Sequence, residues 1–188
     1  MGHLRKCDSV HGKNLTFRLA TVSDAHFILS LRLDQNKGKY ISSTPKDLKL
    51  QQIWIEESLK RNTEVLFVIM DSTDRSIGCI RMYNADFLSY EWGSWLMIDG
   101  LNPLLAIEAI ALLYSYGKFL GFSCARLEVR QENRAVWNFH EKYALARLIS
   151  MDDVNRLYLM DLSTIDTFLA KHESQLTSPL DVRGIEKY

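Results

Sequence analysis

The sequence predicts one α+β domain, in which a mostly antiparallel central sheet of about seven strands carries helices on both faces. Three observations predict this class. The chain of 188 residues is close to the usual length of one domain. Segments of strand and helix character follow the order β-α-α-β-β-β-α-β-α-β-β, and the three consecutive strands in the middle form a meander. A long apolar helix then leads to the next strand, as in a β-α-β crossover.

The first part of this domain is predicted as one strand followed by two helices. Residues 15–19 alternate apolar and polar side chains, which is typical of a strand. Thr21 and Asp24 offer caps for a helix that runs to about Leu33. Turn-forming residues follow, and residues 46–61 then have apolar side chains at helical spacing.

The middle of the chain predicts the meander and the long helix. Residues 64–70, 76–83 and 87–98 have strand character and are separated by short polar turns. Residues 103–120 form an apolar stripe at helical spacing and begin with a proline, which suits a first helical turn. Gly121 is predicted to end this helix.

The last part predicts a strand, a helix, a hairpin and a short final helix. The strand covers residues 125–130, and the following helix covers residues 133–143. The hairpin joins residues 145–151 to residues 156–162, and the final helix covers residues 163–172.

The domain boundaries follow from the polar ends of the chain. Residues 1–13 are interpreted as a polar N-terminal arm and residues 175–188 as a polar C-terminal tail. The single domain therefore occupies residues 14–174, and the chain contains no repeats or low-complexity stretches.

Charge and cysteine content exclude several kinds of partner. Lys plus Arg and Asp plus Glu both number 23, so no overall basic field favours nucleic acid. The longest apolar run, residues 103–114, carries Glu108 and is too short to span a bilayer. Cys7, Cys79 and Cys124 lack the spacing of a disulfide framework or a zinc site. We therefore expect a cytoplasmic protein with reduced thiols, no metal, no nucleic-acid partner and no membrane span.

Two phrases carry a resemblance to a known family. The first is Gly-Phe-Ser-Cys-Ala-Arg-Leu-Glu-Val at residues 121–129, and the second is Glu-Asn-Arg-Ala-Val-Trp-Asn-Phe-His-Glu-Lys at residues 132–142. Together with the element order, they resemble the GNAT family of N-acetyltransferases over residues 15–162. Val136 stands where that family has alanine. The resemblance implies a GNAT-like fold, acetyl-CoA as cosubstrate and acetyl transfer to an amine.

Shorter phrases point to a subgroup of that family. They are Leu-Arg-Leu-Asp at residues 31–34, Tyr-Ile-Ser-Ser-Thr at 40–44, Gln-Ile-Trp-Ile at 52–55 and Trp-Gly-Ser-Trp at 92–95. These phrases are similar to those of bacterial enzymes that acetylate nucleotide-linked amino sugars for surface polysaccharides. Since fold alone does not decide a substrate, two alternatives stay open: a protein or peptide N-terminal acetyltransferase, and a non-catalytic binding module of the same fold.

The start of the long helix departs from the family pattern. The family holds the CoA pyrophosphate on backbone amides there, within the signature Gln/Arg-x-x-Gly-x-Gly/Ala. The matching window, residues 101–106, reads Leu-Asn-Pro-Leu-Leu-Ala, and only Ala106 fits. The resemblance still implies CoA contacts at Leu104, Leu105 and Ala106, because free amides remain at a helix start. The alternative is an ordinary helix start after a strand.

The resemblance also assigns groups to the acyl transfer itself. It places the backbone of Met97 and Ile98 against the pantetheine and the thioester carbonyl. In the family a tyrosine seven residues after the asparagine protonates the departing sulfur, and that offset from Asn133 falls on His140. His140 is therefore the predicted acid, since imidazole titrates near neutral pH. Alternatively, His140 is a structural residue on a helix face.

Two further residues of the predicted helix at 133–143 belong to the expected cosubstrate site. Asn133 and Trp137 share one stripe with His140, because an offset of seven is about two helical turns. We expect Asn133 and Trp137 to contact CoA. Asn133 alternatively serves only as the cap of its helix.

Glu91 is the predicted base. Strict alternation along residues 87–98 places Glu91 on the same face as Trp95 and Met97, which is either the face of the thioester or the opposite one. Alternatively Glu91 is an exposed or ion-paired strand residue, and a chain of water molecules accepts the proton. Because Cys79 and Cys124 have no histidine close in sequence and Cys7 lies in the polar arm, we expect direct attack by the amine without a covalent enzyme intermediate.

Aromatic, basic and hydroxyl side chains suit an amino sugar linked to a nucleotide. Aromatic rings give flat contacts to a sugar or a base, and arginine and hydroxyl groups bind phosphate, carboxylate or hydroxyl groups. The alternatives are core positions for the aromatic residues, a surface ion pair for the arginine and helix capping for the threonine. The predicted substrate-binding residues are Arg32, Ser42, Thr44, Tyr83, Tyr90 and Trp92. A small-molecule acceptor is thus expected, and a homodimer is left open.

Overall fold

The computed structural model describes residues 2–176 and 179–186. Its strands are β1 (Ser9–His11), β2 (Leu15–Leu19), β3 (Glu64–Asp71), β4 (Ser76–Tyr83), β5 (Ser89–Met97), β6 (Cys124–Arg130), β7 (Arg147–Met151), β8 (Asn155–Asp161) and β9 (Asp181–Arg183). Its α-helices are α1 (Ala25–Arg32), α2 (Leu48–Lys60), α3 (Pro103–Phe119), α4 (Arg134–Lys142) and α5 (Leu162–Lys171).

The described strands lie side by side in one open sheet, in the order β7-β8-β6-β5-β4-β3-β2-β1-β9. Neighbouring strands are antiparallel except β5 and β6, which α3 connects through the predicted crossover. The α+β class with helices on both sides of one sheet is confirmed. The sheet has nine strands, however, instead of about seven.

Helices cover both faces because successive strand residues belong to two different apolar clusters. On β3, Val65, Phe67 and Ile69 pack with α3 and α5, whereas Leu66 and Val68 pack with α1 and α2. The two clusters therefore lie on opposite faces of the sheet. No helix in the described part of the chain is both long and apolar enough to cross a bilayer.

Side-chain caps set the starts of two helices that border the functional site. Asp47 accepts hydrogen bonds from two amides in the first turn of α2, so this helix begins slightly later than predicted. Asn102 caps α3 by accepting from an amide in its first turn, and Pro103 is the first helical residue. Gly121 follows this helix with a left-handed φ of +90°, which confirms the predicted end.

The predicted polar arm and tail contribute strands to the sheet. Within the arm, β1 pairs with β2, and both Cys7 and Val10 are buried. Within the tail, β9 pairs with β1, so both segments extend one edge of the sheet. Each of these strands has only three residues, which is too short for an alternating pattern to stand out. Met1 of the arm and residues 177–178 and 187–188 of the tail lie outside the described residues.

The strands β5 and β6 separate toward their C-terminal ends and open a wedge in the sheet. They pair in parallel from Ser89, opposite Cys124, to Trp92, opposite Leu127. Beyond these pairs both strands continue without pairing to each other. Unpaired strand ends in the middle of a sheet leave room for a ligand, so the wedge is the natural place for a site.

A bulge in β5 lies beside this wedge. Between the pair Cys79–Leu96 and the pair Arg81–Gly93, β5 contains one residue more than β4. Ser94 in the bulge has a φ of +49°, a left-handed conformation that is uncommon for a residue other than glycine. The extra residue reverses the alternation of side chains along the rest of β5.

Candidate active site

The wedge between β5 and β6 holds a cavity of about 380 Å³. Its walls are the ends of both strands, the segment between α1 and α2, the start of α4 and Ala106 of α3. Lys37, Tyr40, Glu128 and His140 are lining residues whose side chains can take part in proton transfer. An apolar cavity on which a few polar groups converge is the usual form of a small-molecule site.

His140 lies in the cavity wall with only 1% of its surface exposed. Its ring packs against those of Trp92, Trp95 and Phe139, with centroids 5.4, 6.0 and 5.3 Å away. Burial lowers the pKa of His140 to about 3, so the imidazole is neutral at pH 7. A neutral imidazole is a poor proton donor to sulfur, because it would become an imidazolate. The structure therefore brings His140 to the cavity without supporting its expected role as the acid.

Lys37 ties the end of β5 to the segment between α1 and α2. Its ammonium donates a hydrogen bond to the carbonyl of Met97 at 2.9 Å and pairs with the Asp99 carboxylate at 2.8 Å. Met97 lines the cavity as expected. The amide of Ile98 donates to the carbonyl of Ile77 at 2.9 Å, so this part of the backbone that was expected to bind the cosubstrate already pairs with β4.

The first turn of α3 offers no free amide at its first three positions. Pro103 has no amide hydrogen. The Leu104 amide donates to the side chain of Asn102 at 3.0 Å, and the Leu105 amide donates to the Asn102 carbonyl at 2.9 Å. The expectation of free amides at Leu104 and Leu105 therefore does not hold, because Asn102 occupies both. Ala106 does line the cavity, as predicted.

The two predicted cosubstrate residues of α4 have different surroundings. Asn133 makes no capping hydrogen bond with its side chain and lines the cavity, so the interpretation as a helix cap alone does not hold. Trp137 is not among the cavity-lining residues. Its Nε1 donates to the carbonyl of Gln131 at 3.0 Å, and the Arg156 guanidinium lies over the Trp137 ring, 4.1 Å from its centroid. These contacts give Trp137 a structural role.

Arg32 connects the cavity to hydroxyl groups of the loop before α2. Its guanidinium donates to Thr44 Oγ1 at 2.7 Å, to Ser42 Oγ at 2.9 Å and to Ser94 Oγ at 3.4 Å. Burial lowers the pKa of Arg32, and the like charge of Arg81 adds to this effect, yet a guanidinium stays charged at neutral pH. Three predicted substrate residues thus come together, and the interpretation of Arg32 as part of a surface ion pair does not hold.

Glu91 does not reach the cavity. It faces Arg126 in the paired part of β5 and β6, where Arg126 Nη2 lies 3.7 Å away. Its other carboxylate oxygen accepts a hydrogen bond from Asn84 at 3.0 Å. The bulge also cancels the predicted alternation, because Trp95 and Met97 pack toward α3 and Glu91 lies on the other face. The prediction of Glu91 as base is therefore not supported.

The predicted aromatic residues divide between core and site. Tyr90 is buried against Phe122 and Gly117, so it cannot contact a substrate. Trp92 is also buried, but it forms part of the cavity wall. Tyr83 lies outside the cavity lining, with its ring stacked on the Arg81 guanidinium at 4.6 Å. Of the three, only Trp92 faces the space that a ligand can enter.

Glu128 is the carboxylate that the sequence interpretation missed. Leu127 and Val129 are buried on the α3 face, so Glu128 and Arg130 point to the face of α1 and α2. Both line the cavity, since β6 has separated from β5 at this point. The alternation was visible in the sequence, but the place where the strands separate was not. Lys37 and Tyr40 were missed for a related reason. They lie between α1 and α2, and the sequence does not show where this segment packs against the sheet.

Neither buried thiol has the properties of a nucleophile. Burial raises the pKa of Cys7 to about 11 and that of Cys79 to about 12, so both are protonated at neutral pH. Cys79 donates to the Ser94 carbonyl at 3.4 Å, next to the bulge. The His, Cys, Asp and Glu side chains of the described residues form no group of three or more that could hold a metal ion.

The splayed sheet and its cavity define a class of protein. A family model described as the acetyltransferase (GNAT) domain matches residues 14–145. The chain therefore belongs to the GNAT family, and it is an N-acetyltransferase. Enzymes of this family use acetyl-CoA as the acyl donor. The family resemblance drawn from the sequence is confirmed.

Solved structures show how far the likeness extends. Apo FdhC, described as a nucleotide-linked sugar GNAT, is 31% identical, with 90% of this chain and 98% of that chain covered and a TM-score of 0.80. A probable GNAT acetyltransferase from Chromobacterium violaceum is 13% identical, with 88% of this chain and 92% of that chain covered and a TM-score of 0.75. A Vibrio cholerae spermidine N-acetyltransferase in complex with CoA and spermine is 17% identical, with 81% of this chain and 98% of that chain covered and a TM-score of 0.71. The last two show the fold alone. No curated protein sequence matches this chain significantly.

Proposed function

We propose that this enzyme acetylates the amine of a nucleotide-linked amino sugar by direct transfer from acetyl-CoA. The observation that carries the proposal is the Arg32 guanidinium, which joins the cavity at Ser94 to the hydroxyl groups of Ser42 and Thr44. A cation among hydroxyl groups attracts an anionic, hydroxyl-rich acceptor and repels a polyamine. The 31% identity to a nucleotide-linked sugar enzyme supports the same class of acceptor.

The wedge suits the acyl end of the donor. Trp95 Nε1 and His140 Nδ1 are buried and have no hydrogen-bond partner among the described residues. Buried polar atoms are normally satisfied, so a bound thioester and its pantetheine fit this place. The start of α3 lacks free amides for a pyrophosphate, as shown above. We assign to Lys37 the positive charge that meets the CoA phosphates, because Lys37 is a cationic residue of the cavity lining and pairs with the exposed carboxylate of Asp99.

Two cavity residues serve the proton transfers. Glu128 accepts the proton of the amine while the nitrogen bonds to the acyl carbon and the carbon–sulfur bond breaks. The Tyr40 hydroxyl donates a proton to the departing sulfur, and solvent returns the proton from Glu128 to Tyr40. His140 stays neutral throughout and shapes the apolar wall. The protonated state of Cys7 and Cys79 supports transfer without an acyl-enzyme.

The test is an acetylation assay with acetyl-CoA and three groups of acceptor. We expect turnover with one or more sugar nucleotides that carry a free amine, and no comparable turnover with spermidine or with peptides that have a free N-terminus. Release of free CoA thiol and the mass of the product measure the reaction. Turnover of a peptide or of spermidine in preference to every sugar nucleotide would reject the proposal.

Three finer expectations belong to the same proposal. The acetylated sugar is destined for a bacterial surface polysaccharide, the enzyme works in the cytoplasm, and a homodimer is the oligomeric state left open for testing. Mass spectrometry of sugar-nucleotide pools in cells with and without the gene tests the first. Cell fractionation tests the second, and light scattering coupled to size exclusion tests the third.

A further inference from the structure

A second cavity of about 290 Å³ lies on the α1 and α2 face, beside the loop that holds Ser42 and Thr44. Arg32 and Arg81 line it together with Gln51 and Trp54 of α2. Arg32 also donates to Ser94 in the wall of the first cavity, so a single guanidinium separates the two spaces.

The charges around this second cavity do not balance. Glu64 is buried and pairs with both Arg61, at 2.7 Å, and Arg81. Arg32 has only hydroxyl and carbonyl partners, so three guanidinium groups face one carboxylate here. No Asp or Glu lines the cavity. Of these groups, Arg32 and Arg81 are half-buried and line the cavity, so their unbalanced positive charge favours an anion there.

Two hydrogen-bond donors at this cavity lack partners. Gln51 is 5% exposed, and its Nε2 has no hydrogen-bond partner among the described residues. Arg81 Nε has none either, while its guanidinium is held between the rings of Tyr83 at 4.6 Å and Trp54 at 5.4 Å. Since buried donors are normally satisfied and both residues line the cavity, a small rotation of either side chain would bring its unpartnered donor to an acceptor-rich group bound there.

We propose that the second cavity is a phosphate subsite, in which Arg32, Arg81 and Gln51 bind a phosphoryl group of the acceptor. This proposal rests on the proposed function and names the part of the acceptor that is recognised. Arginine binds phosphoryl oxygens through two parallel hydrogen bonds, and the Gln51 amide supplies a further donor. The acceptor's sugar ring then spans the Arg32 position and presents its amine in the first cavity.

A binding experiment tests the subsite without catalysis. Thermal unfolding is followed with inorganic pyrophosphate, uridine diphosphate or uridine, at low and constant ionic strength, first without CoA and then with saturating CoA. We expect pyrophosphate and uridine diphosphate to raise the melting temperature in a saturable way and uridine to leave it unchanged. CoA occupies the donor site, so loss of the pyrophosphate effect in its presence would assign that effect to the donor site and overturn the subsite.

The substitution Gln51→Leu removes the orphaned amide and keeps the charge. We expect pyrophosphate to bind about 10-fold more weakly, because a hydrogen bond to an anion is lost, while the melting temperature without ligand does not fall. The matched control is Gln52→Leu on the same helix, whose side chain does not line the cavity. An unchanged pyrophosphate affinity in Gln51→Leu would contradict the proposal. So would a loss of affinity in Gln52→Leu as large as that in Gln51→Leu.

A kinetic experiment separates this proposal from the proposed function. With the best sugar nucleotide, Gln51→Leu is expected to raise KM about 10-fold and to leave kcat nearly unchanged, since the amide acts far from the reacting atoms. Turnover of sugar nucleotides with an unchanged KM would reject the subsite and keep the function. Binding of pyrophosphate that depends on Gln51, without turnover of any sugar nucleotide, would keep the subsite and reject the function.

Discussion

At the scale of the residue, burial decides what His140 can do. Its position in the family pattern is that of an acid, but the surrounding rings remove water and hold the imidazole neutral. A residue type therefore identifies a candidate, whereas its surroundings decide its protonation. The sequence identified His140 as a candidate, and the structure places it in the cavity wall, but the sequence could not supply its pKa.

The first prediction concerns stability and pH. The pKa of His140 is about 3 in the folded state and 6.5 as an unperturbed group, so only the unfolded chain binds this proton between those values. The contribution of His140 to the free energy of unfolding is therefore fully present above pH 6.5 and is lost as the pH falls toward 3. At pH 5 the free energy of unfolding is lower by roughly 2 kcal/mol than at neutral pH because of this residue. Urea denaturation between pH 7.5 and 5 measures it.

The comparison is His140→Phe, which keeps a ring in the aromatic cluster and removes the titration. Other groups titrate in both proteins, so the difference between their pH profiles isolates His140. We expect a flatter profile for the variant. Identical slopes in the two proteins would show that His140 does not carry this pH dependence.

The second prediction concerns the base. Glu128→Gln keeps the shape of the side chain and removes its ability to accept a proton. We expect kcat to fall by about 10² to 10⁴, because the amine must then lose its proton to water. Glu91→Gln is the matched control and is expected to stay near the wild-type rate, since Glu91 lies outside the cavity. A larger loss in Glu91→Gln than in Glu128→Gln would reverse the assignment.

The third prediction concerns Lys37. Lys37→Ala is expected to raise KM for acetyl-CoA about 10-fold, because a charge that meets the phosphates is lost and α3 offers no amides instead. The effect should shrink at high salt, since salt screens the interaction in the wild type. Lys49→Ala on the exposed side of α2 serves as control. An unchanged KM for acetyl-CoA in Lys37→Ala would remove Lys37 from the donor site.

At the scale of the element, Glu108 shows how one buried carboxylate joins a helix to a strand. It lies in α3, is fully buried and accepts hydrogen bonds from the Asn14 amide at 2.6 Å, the Asn14 side chain at 2.9 Å and the Leu15 amide at 3.1 Å. These bonds fix the start of β2 against the middle of α3. In the sequence, Glu108 only interrupts an apolar run.

The fourth prediction follows from these contacts. Glu108→Ala leaves buried donors of Asn14 and Leu15 without an acceptor and should lower the free energy of unfolding by about 3 kcal/mol. Urea denaturation measures the change, and Glu132→Ala at an exposed position is the control. A loss below 1 kcal/mol would mean that these donors find other partners.

The sequence predicted the elements of the domain well wherever local chemistry determines them. The long helix at 103–119 follows from its proline start and the glycine after it, and the meander follows from its turns. The strands β1 and β9 were missed because three residues carry too little pattern, and their pairing depends on contacts between distant parts of the chain.

At the scale of the whole molecule, the site depends on where two strands separate. Alternation along β6 identifies the face of Glu128, but only the tertiary structure shows that β5 has moved away at that point. The bulge at Ser94 likewise changes which side chains share a face with Glu91. The sequence therefore proposed Arg32, Ser42, Thr44 and Asn133, which the structure places at the two cavities, but it did not propose Glu128 and Lys37.

The fifth prediction concerns the edge of the sheet. Truncation after Leu176 removes β9 and exposes the edge of β1 to pairing with other chains. We expect this variant to aggregate at concentrations where the full chain stays dispersed, as measured by static light scattering. Truncation after Glu186 retains β9 and is the control. Equal light scattering by the two truncated chains would show that β9 does not protect the edge.

The position of β9 also has a consequence for how the protein is made. Its partner β1 leaves the ribosome well before β9, because most of the described chain lies between these two neighbours in sequence. Contacts of such long range form late, because the loop that they close is costly. The nascent chain can thus assemble the wedge between β5 and β6 before β9 covers the edge of the sheet. Factors that bind extended segments during synthesis then have a defined period in which to bind β1.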